Sequence, residues 1–339
     1  MRRIKLIVQM LVAFIIATLA FSIFYEPHQE SVRAQVKRQL SWVKQTASEV
    51  QGKKSTAASV ETTTSATVPT GQLKITLLDV GQADAILLQD GKRNIMIDVG
   101  DSRKDKLGYG GRQALARSLA AAGVREGVDR INTVIITHHH GDHLGNIKWM
   151  AGKYRISNIY DNAMPNLNNM TSSWLNTELR AGHYHNRVLQ AGDRVDFDKG
   201  YYLEVLAPGD FIPKAEYKNL NNTSIVMKLH YGSFTMLLTG DAEAPVEDLL
   251  QQRYGSALKA DVLKVGHHGS RTSSIWRFVH EVKPKYALIS CGPFEIYHHP
   301  NKDVLGRLEH LGARVLSTFD HGNIVVTTDG KKFSVATEK

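Results

Sequence analysis

One segment constrains this chain more than any other: THHHGDH, which directly follows a β-branched run beginning at Ile131. The end of a strand is a rigid place from which to present metal ligands. His138 and His140 are two residues apart, so in extended chain both point to the same side and can bind one metal ion. Asp142 and His143 come next, where the chain turns towards a helix. We expect these two to face a second ion close by.

The chemistry of this segment favours two divalent ions. Imidazole and carboxylate ligands together suit Zn²⁺, with Mn²⁺ or Fe²⁺ as alternatives. Two such ions ~4 Å apart can share a hydroxide and clamp the attacking and leaving oxygens of a displacement. The other interpretation is an exposed polyhistidine loop, but the preceding buried strand and the aspartate argue against it. We therefore expect two divalent metal ions, with Zn²⁺ favoured and Mn²⁺ as the main alternative.

Further ligand candidates follow two later strands. Asp241 ends the buried run LLTGD and is predicted to bridge the two ions; the alternative is that it caps a helix beginning near Ala244. The run LKVG leads to His267 and His268, and we prefer His267 as the ligand because it comes first after the strand. His268 is then predicted to be catalytic, through contact with a phosphate or as a general acid. Asp142 is assigned a catalytic role beside its ligand role.

Several polar residues are candidates for substrate binding. Ser270 and Arg271 offer a hydroxyl and a guanidinium that suit an anionic group, although they equally suit the capping of a following helix. His299 is a candidate donor to a substrate oxygen, its alternative being a histidine on a surface loop. His183 and His185 share the His-x-His spacing but lie in a polar stretch, so we interpret them as surface residues.

Charge and cysteine content narrow the possible partners. The 339 residues carry a formal net charge of +9. Such a charge favours an anionic partner, namely nucleic acid, a cell-wall phosphodiester polymer or an anionic membrane surface. Protein partners stay open. The single cysteine, Cys291, excludes an internal disulfide and a cysteine-rich metal site, and its setting indicates the end of a buried strand.

The N-terminus indicates a membrane anchor. Three cations within the first five residues precede Leu6–Tyr25, a run of 20 residues without a formal charge. A helix of ~20 apolar residues spans a bilayer, and its positive flank stays in the cytoplasm. We therefore expect a single-pass protein of the cell membrane with its catalytic part outside; the alternative is a cleaved signal peptide. The predicted parts are a signal anchor, a stalk with a Ser/Thr-rich linker, and a hydrolase domain, at residues 1–25, 26–71 and 72–339.

Hydrophobic patterning of the remaining chain predicts an α/β fold. Strands come first and helices then alternate with strands, which is typical of two packed sheets flanked by helices. The predicted strands are 72–80, 85–88, 92–99, 131–137, 202–206, 224–230, 234–239, 261–265, 286–290, 314–317 and 323–328. The predicted helices are a short segment from residue 144 onward, 109–122, 244–253, 274–282 and 302–311.

A set of motifs in fixed order carries a family resemblance. The motifs are LDVGQADA (78–85), IDVG (97–100), THHHGDH (137–143), NNTS (221–224), LLTGD (237–241), KVGHHGS (264–270) and HP (299–300). Together they resemble the metallo-β-lactamase-fold hydrolases, and in particular the extracellular metallo-hydrolase domain of the ComEC family of DNA-uptake proteins. The resemblance implies a four-layer αββα sandwich.

The resemblance also implies roles for individual residues. It implies first-ion ligation by His138 and His140, second-ion ligation by Asp142, His143 and His267, and bridging by Asp241. It places Asp84 near the floor of the site, and we count Asp84 and Asn222 among the substrate-binding candidates. Many members of the wider fold carry a further histidine where this chain has Asn221 and Asn222.

One difference from the family pattern leaves the identity of the substrate undecided. ComEC-type domains often carry aspartate where this chain has His140, and the histidine resembles the teichoic-acid phosphorylcholine esterases of the same fold. The first functional hypothesis is a phosphodiesterase or nuclease. The alternatives are a cell-wall phosphorylcholine esterase and a non-catalytic, metal-containing binding module of an envelope complex.

Overall fold

The computed structural model describes residues 71–104, 108–197, 200–293 and 298–339. The predicted anchor and nearly all of the predicted stalk lie outside these residues. Within the described ranges, no helix is long and apolar enough to cross a membrane.

Two mixed sheets form the centre of the domain. The first has eight strands in the order β15-β14-β1-β2-β3-β4-β5-β6. Its strands are β1 (Leu73–Leu77), β2 (Ala85–Gln89), β3 (Asn94–Val99), β4 (Arg130–Ile135), β5 (Arg155–Asp161), β6 (His185–Val188), β14 (Ile324–Thr328) and β15 (Phe333–Thr337). The second has seven strands in the order β13-β12-β11-β10-β9-β8-β7. Its strands are β7 (Arg194–Asp196), β8 (Tyr201–Ala207), β9 (Val226–Tyr231), β10 (Phe234–Leu238), β11 (Val262–Lys264), β12 (Tyr286–Ile289) and β13 (Arg314–Ser317).

Helices cover the outer face of each sheet. They are α1 (Gly111–Ala121), α2 (Gly141–Leu144), α3 (Ile147–Lys153), α4 (Met170–Arg180), α5 (Ala244–Tyr254), α6 (Trp276–Val282), α7 (Lys302–His310) and α8 (Thr318–His321). Three apolar cores result: one between the sheets, one under α1, α3 and α4, and one under α5, α6 and α7. Because each sheet has one face on the shared core and one face on helices, the predicted four-layer αββα sandwich is confirmed.

The sequence patterning missed several elements. It gave no strand at β5, β6, β7 or β15 and no helix at α4. β5 reads RISNIYD and only two of its seven residues are fully buried, so it lacks the apolar run that marks a central strand. β7 has only three residues. Strands this short or this polar are decided by their pairing partners and not by local propensity.

Strand direction determines where polar side chains collect. β3 and β4 are parallel neighbours in the first sheet, and β10 and β11 are parallel neighbours in the second. Parallel neighbours end at the same edge of a sheet. Asp98 lies at the end of β3, and the loops that follow β4, β10 and β11 carry His138, Asp241 and His268. These residues collect at this edge of the sandwich.

Candidate metal centre

The histidine segment alternates as extended chain requires. His138 is fully buried, and its Nε2 lies 3.0 Å from Nδ1 of the partly exposed His140. His139 points away and lies within hydrogen-bond distance of Ser172 Oγ (2.7 Å) and Asp161 Oδ2 (3.2 Å). His138 and His140 therefore share one side, and His139 belongs to the packing of the first sheet.

Four residues form a compact group of metal-ligand atoms beside this pair. Asp142, His143, Asp241 and His268 each offer one atom, and these atoms all lie within 4.8 Å of one another. His143 Nε2 is 3.1 Å from Asp241 Oδ2, and His268 Nε2 is 3.3 Å from Asp142 Oδ2. Two imidazoles and two carboxylates at this spacing are a donor set for Zn²⁺ or a similar divalent ion.

Two atoms of this group support the fit of a cation. His143 Nε2 and Asp241 Oδ1 are buried, and neither makes an aligned hydrogen bond to a described residue, although His143 Nε2 lies 3.1 Å from Asp241 Oδ2. Leaving such atoms unsatisfied costs about 1–3 kcal/mol each. A divalent ion bound between them would satisfy both atoms, so the residues present fit the metal that the fold implies.

The charges of the group explain its protonation. Burial alone would lower the pKa of His143, but the carboxylates of Asp241 and Asp98 together raise it well above its usual range. The pKa of His268 is likewise raised to about 9, because Asp241 and Asp84 outweigh burial. Burial would raise the pKa of Asp142, yet the charge of His143 and the hydrogen bond from His268 lower it. Without metal, the group is a cluster of ion pairs at neutral pH.

The pKa of His138 shifts in the opposite direction to the pKa of His143 and His268. Burial and the neighbouring charge of His143 lower the pKa of His138 well below its usual value. Its Nδ1 lies 3.3 Å from both Thr137 Oγ1 and Ser224 Oγ. A neutral imidazole has a lone pair available for a metal ion.

Asp98 is a functional residue that the sequence reasoning missed. Its Oδ2 lies 2.8 Å from His143 Nδ1 and accepts a hydrogen bond from Thr137 Oγ1 at 2.7 Å. Its Oδ1 accepts from the Thr137 amide at 2.8 Å. A carboxylate behind an imidazole fixes the ring orientation and makes the other nitrogen a better ligand. The available signal was an acidic residue ending a buried strand, in the motif IDVG.

Asp84 is placed near the floor of the site, but not as a substrate contact. It is 1% exposed, and its Oδ2 pairs with the buried Lys264 Nζ at 2.7 Å. Its Oδ1 lies 3.6 Å from His268 Nδ1. The predicted substrate-binding role of Asp84 is therefore corrected: burial keeps it from solvent, and it contributes charge beneath His268.

The structure reverses the predicted order of His267 and His268. His268 is 2% exposed and belongs to the four-residue group, whereas His267 Nε2 lies 3.9 Å from Asp241 at the rim. His267 Nδ1 instead lies 3.2 Å from Glu243 Oε1 and 3.2 Å from Thr272 Oγ1. The general-acid role of His268 stays a prediction; the ring is buried, and its Nε2 lies 3.3 Å from Asp142 Oδ2.

The reversal has a backbone cause. His267 and His268 both have positive φ, at 46° and 53°, and Gly269 follows at 80°. The left-handed region costs a non-glycine residue roughly 1–2 kcal/mol. A chain turned this way points the second histidine inward and the first outward, contrary to the extended chain assumed from the sequence.

Two further substrate-binding predictions are corrected. Asn222 is buried, its Oδ1 accepts from the Glu243 amide at 3.1 Å, and its Nδ2 reaches Glu216 at 3.4 Å. Ser270 Oγ is used within its own turn, at 3.0 Å from Thr272 Oγ1. Both side chains hold loops in place. Asn221 is the asparagine beside the site, with Nδ2 3.4 Å from His267 Nε2.

The rim carries the remaining candidates. Arg271 is exposed, and no described residue pairs with its guanidinium. His299 lies with its ring centroid 5.3 Å from that of His267. Arg103 was missed by the sequence reasoning; its Nη2 is held by Asp101 at 2.9 Å, and its charge acts on Asp142. His183 and His185 are exposed, as predicted.

Comparisons with known proteins agree with this geometry. Residues 78–292 match the model of the metallo-beta-lactamase superfamily. The chain is 30% identical to "Competence protein ComA" of Neisseria gonorrhoeae over 74% of its own length and 32% of that protein. It is 28% identical to "ComE operon protein 3" of Bacillus subtilis, again over 74% and 32%. The predicted resemblance is confirmed, and the chain spans about a third of the length of these curated relatives.

A solved structure is also similar. The metallo-beta-lactamase fold protein YhfI of Bacillus subtilis has 15% sequence identity and a TM-score of 0.49. The match covers 76% of this chain and 99% of that one.

Asp98→Asn tests the support of His143. We expect it to lower metal affinity by about 10- to 100-fold, because a carboxylate behind a ligating imidazole contributes that much. The measurement is the Kd for Zn²⁺ by competition with a chromogenic chelator. Asp129→Asn, on an exposed loop paired with Arg125, is the matched control and should bind metal like the wild type. If Asp98→Asn bound Zn²⁺ with the affinity of the wild type, Asp98 would not support His143 as a metal ligand.

Gly269→Ala tests the strained turn. A Cβ at Gly269 would lie 2.6 Å from Pro300 Cβ, in addition to the cost of φ 80°. We expect loss of bound metal and a lower free energy of unfolding. Gly312→Ala is the control, because Gly312 has φ 79° and nothing within 4 Å. If the two variants lose stability and metal equally, the contact with Pro300 is irrelevant to the site.

The raised pKa of His268, about 9, predicts a pH dependence of metal binding. Below that pH the metal-free ring holds a proton that the ion must displace. Apparent affinity should therefore rise with pH and level off above about 9, by up to about tenfold per pH unit for each displaced proton. Calorimetric titration in buffers of different ionisation enthalpy counts the released protons. Zero proton release at pH 7 would contradict this description of the site.

Proposed function

The chain belongs to the metallo-beta-lactamase superfamily, and from that premise we propose that it is a metal-dependent phosphodiesterase that cleaves nucleic acid. One observation carries the proposal: the four-residue group with its unsatisfied His143 Nε2 and Asp241 Oδ1, open to solvent on the side of Asp142. Members of this superfamily are generally metal-dependent hydrolases. The choice of a phosphodiester and of nucleic acid rests on the rim and on the relatives.

The proposed ligand sets follow the geometry. His143, His268 and Asp142 would hold one ion, His138 and His140 the other, and Asp241 would contribute to both. Bound divalent ions supply Lewis acidity and make a nearby water more acidic.

The side chains then have distinct tasks. Asp142 is partly exposed and its lowered pKa keeps it ionised, so its carboxylate is suited to accept a hydrogen bond from the attacking water. Asp98 keeps His143 in orientation, and the Ser290 carbonyl oxygen, 2.9 Å from His268 Nδ1, does the same for His268. Asp84 adds negative charge 3.6 Å from the same nitrogen. At the rim, His267 is held by Glu243 where it can donate a hydrogen bond to a substrate oxygen.

Exposed guanidinium groups support an anionic substrate. Arg103 and Arg271 are exposed and lie in the segments that follow β3 and β11. A guanidinium matches the geometry of two phosphate oxygens, which a neutral ester does not require. The net charge of +9 adds long-range attraction for a polyanion.

The names of the relatives support nucleic acid as the class of substrate. One of them is named a competence protein, and the resemblance described above is to DNA-uptake proteins. We extend the proposal to location: residues 1–25 anchor the chain in the cell membrane with the hydrolase domain outside. This part rests on the charge and hydropathy of that segment alone.

The test is hydrolysis by the metal-loaded full chain. We expect release of p-nitrophenol from bis(p-nitrophenyl) phosphate and cleavage of DNA with Zn²⁺ or Mn²⁺, abolished by chelation and restored by the metal. Asp241→Asn should lower the rate by at least about 100-fold, because the shared ligand stabilises developing charge through both ions. Asp129→Asn serves as the control with unchanged rate.

Two results would overturn this function. Release from p-nitrophenyl-phosphorylcholine with no action on DNA would assign a cell-wall esterase. Stoichiometric metal with no hydrolysis of any diester would assign a non-catalytic module.

A further inference from the structure

A separate cavity opens on the surface where α5 and α6 begin. Its volume is about 350 Å³ and its walls are mostly apolar. The lining residues are Ala244, Pro245, Asp248, Ile275, Trp276 and Arg277. A cavity of this size suits a planar, drug-sized group, and none of these residues belongs to the metal centre.

Trp276 gives the cavity an aromatic wall. The residue is 43% exposed, and two histidine rings lie beside it. Its centroid lies 5.4 Å from that of His310 and 6.2 Å from that of His280. An exposed indole is a surface on which a nucleobase can stack, and such stacking is independent of base identity.

The polar groups of the cavity suit a nucleotide as well. The guanidinium of Arg277 is mostly exposed, so it can contact a phosphate. Asp248 Oδ1 lies 3.2 Å from Arg277 Nη2, and this ion pair holds the guanidinium at the cavity.

The cavity adjoins the rim of the metal centre. The Ala244 amide donates to the Thr272 carbonyl oxygen at 2.8 Å, and Thr272 Oγ1 lies 3.2 Å from His267 Nδ1. Glu243, which precedes Ala244, is also bound to His267. A single hydrogen-bonded layer therefore connects the cavity wall with the rim.

We infer that this cavity binds an unpaired base of single-stranded nucleic acid, stacked on Trp276, while a phosphodiester of the same strand occupies the metal centre. The inference rests on the proposed phosphodiesterase function and narrows its substrate to single strands. In a duplex each base is paired and stacked on its neighbours, so it reaches the indole only after unstacking, which costs a few kcal/mol.

Binding of labelled oligodeoxyadenylate tests the assignment. The probe has a cleavage-resistant phosphorothioate backbone, and its fluorescence anisotropy is measured with the metal-loaded full chain. Trp276→Ala should weaken binding by about tenfold, the typical contribution of one stacked base. Trp276→Phe should keep most of the affinity, which also shows that the fold is intact. Phe319→Ala is the matched control, because Phe319 is 41% exposed and lies outside the cavity.

A probe of the same length without bases separates stacking from charge. It should bind weakly, and equally to wild type and Trp276→Ala. Hydrolysis of bis(p-nitrophenyl) phosphate, which has no base to stack, should be the same in both proteins.

The outcomes are distinguishable. Equal binding of oligodeoxyadenylate by wild type and Trp276→Ala, in a protein that hydrolyses the small diester, overturns the cavity assignment and leaves the phosphodiesterase. Tighter binding of duplex than of single strand also overturns it. If the small diester is not hydrolysed but Trp276→Ala still loses affinity, the phosphodiesterase fails and the base-binding cavity stands.

Discussion

The structure depends on holding four carboxylates close together and away from bulk water. Asp84, Asp98, Asp142 and Asp241 surround two histidines, and all but Asp142 are about 1% exposed. Like charges at this spacing repel strongly where the dielectric constant is low. Protonated His143 and His268 offset the repulsion in the metal-free protein, and Lys264 adds a fixed positive charge. A bound divalent ion would replace these protons as the positive charge that offsets the repulsion between the carboxylates.

This constraint explains why the site is spread over the whole fold. A single loop cannot supply so many charged groups and also bury them. The ends of β3, β4, β10 and β11 can, because parallel neighbours within each sheet finish at the same edge. The turn after β11 completes the arrangement with left-handed backbone at His267 and His268, which the close packing of Gly269 on Pro300 keeps in place. Strain of this kind persists only where the surrounding structure determines it.

The candidate metal ligands and their supports are mostly buried, whereas the candidate substrate-binding side chains are at least partly exposed. The buried members, including His268 and Asp84, act on the ions or on each other. At the rim, Arg103 and Arg271 are exposed and positively charged, and His267 is partly exposed. The Trp276 cavity continues this rim beyond Thr272. A substrate that fits this arrangement has a charged backbone for the rim and a flat ring for the cavity.

The sequence by itself determined the αββα architecture, the shared side of His138 and His140, and the acidic residue at the end of β10. The shared side of the two histidines follows from local periodicity, which fixes the direction of each side chain along a strand, whereas the four-layer order was implied by the family resemblance. Only the tertiary structure decided between His267 and His268, because the choice depends on left-handed backbone angles that packing against Pro300 maintains. It alone identified Asp98 behind His143 and paired Asp84 with Lys264, since these partners are far apart in the chain and meet only when the strand ends converge. The local sequence pattern predicts which side chains a strand presents. The role of each charged side chain, as metal ligand, support for a ligand or substrate contact, depends on its burial, and burial arises only when the layers pack together.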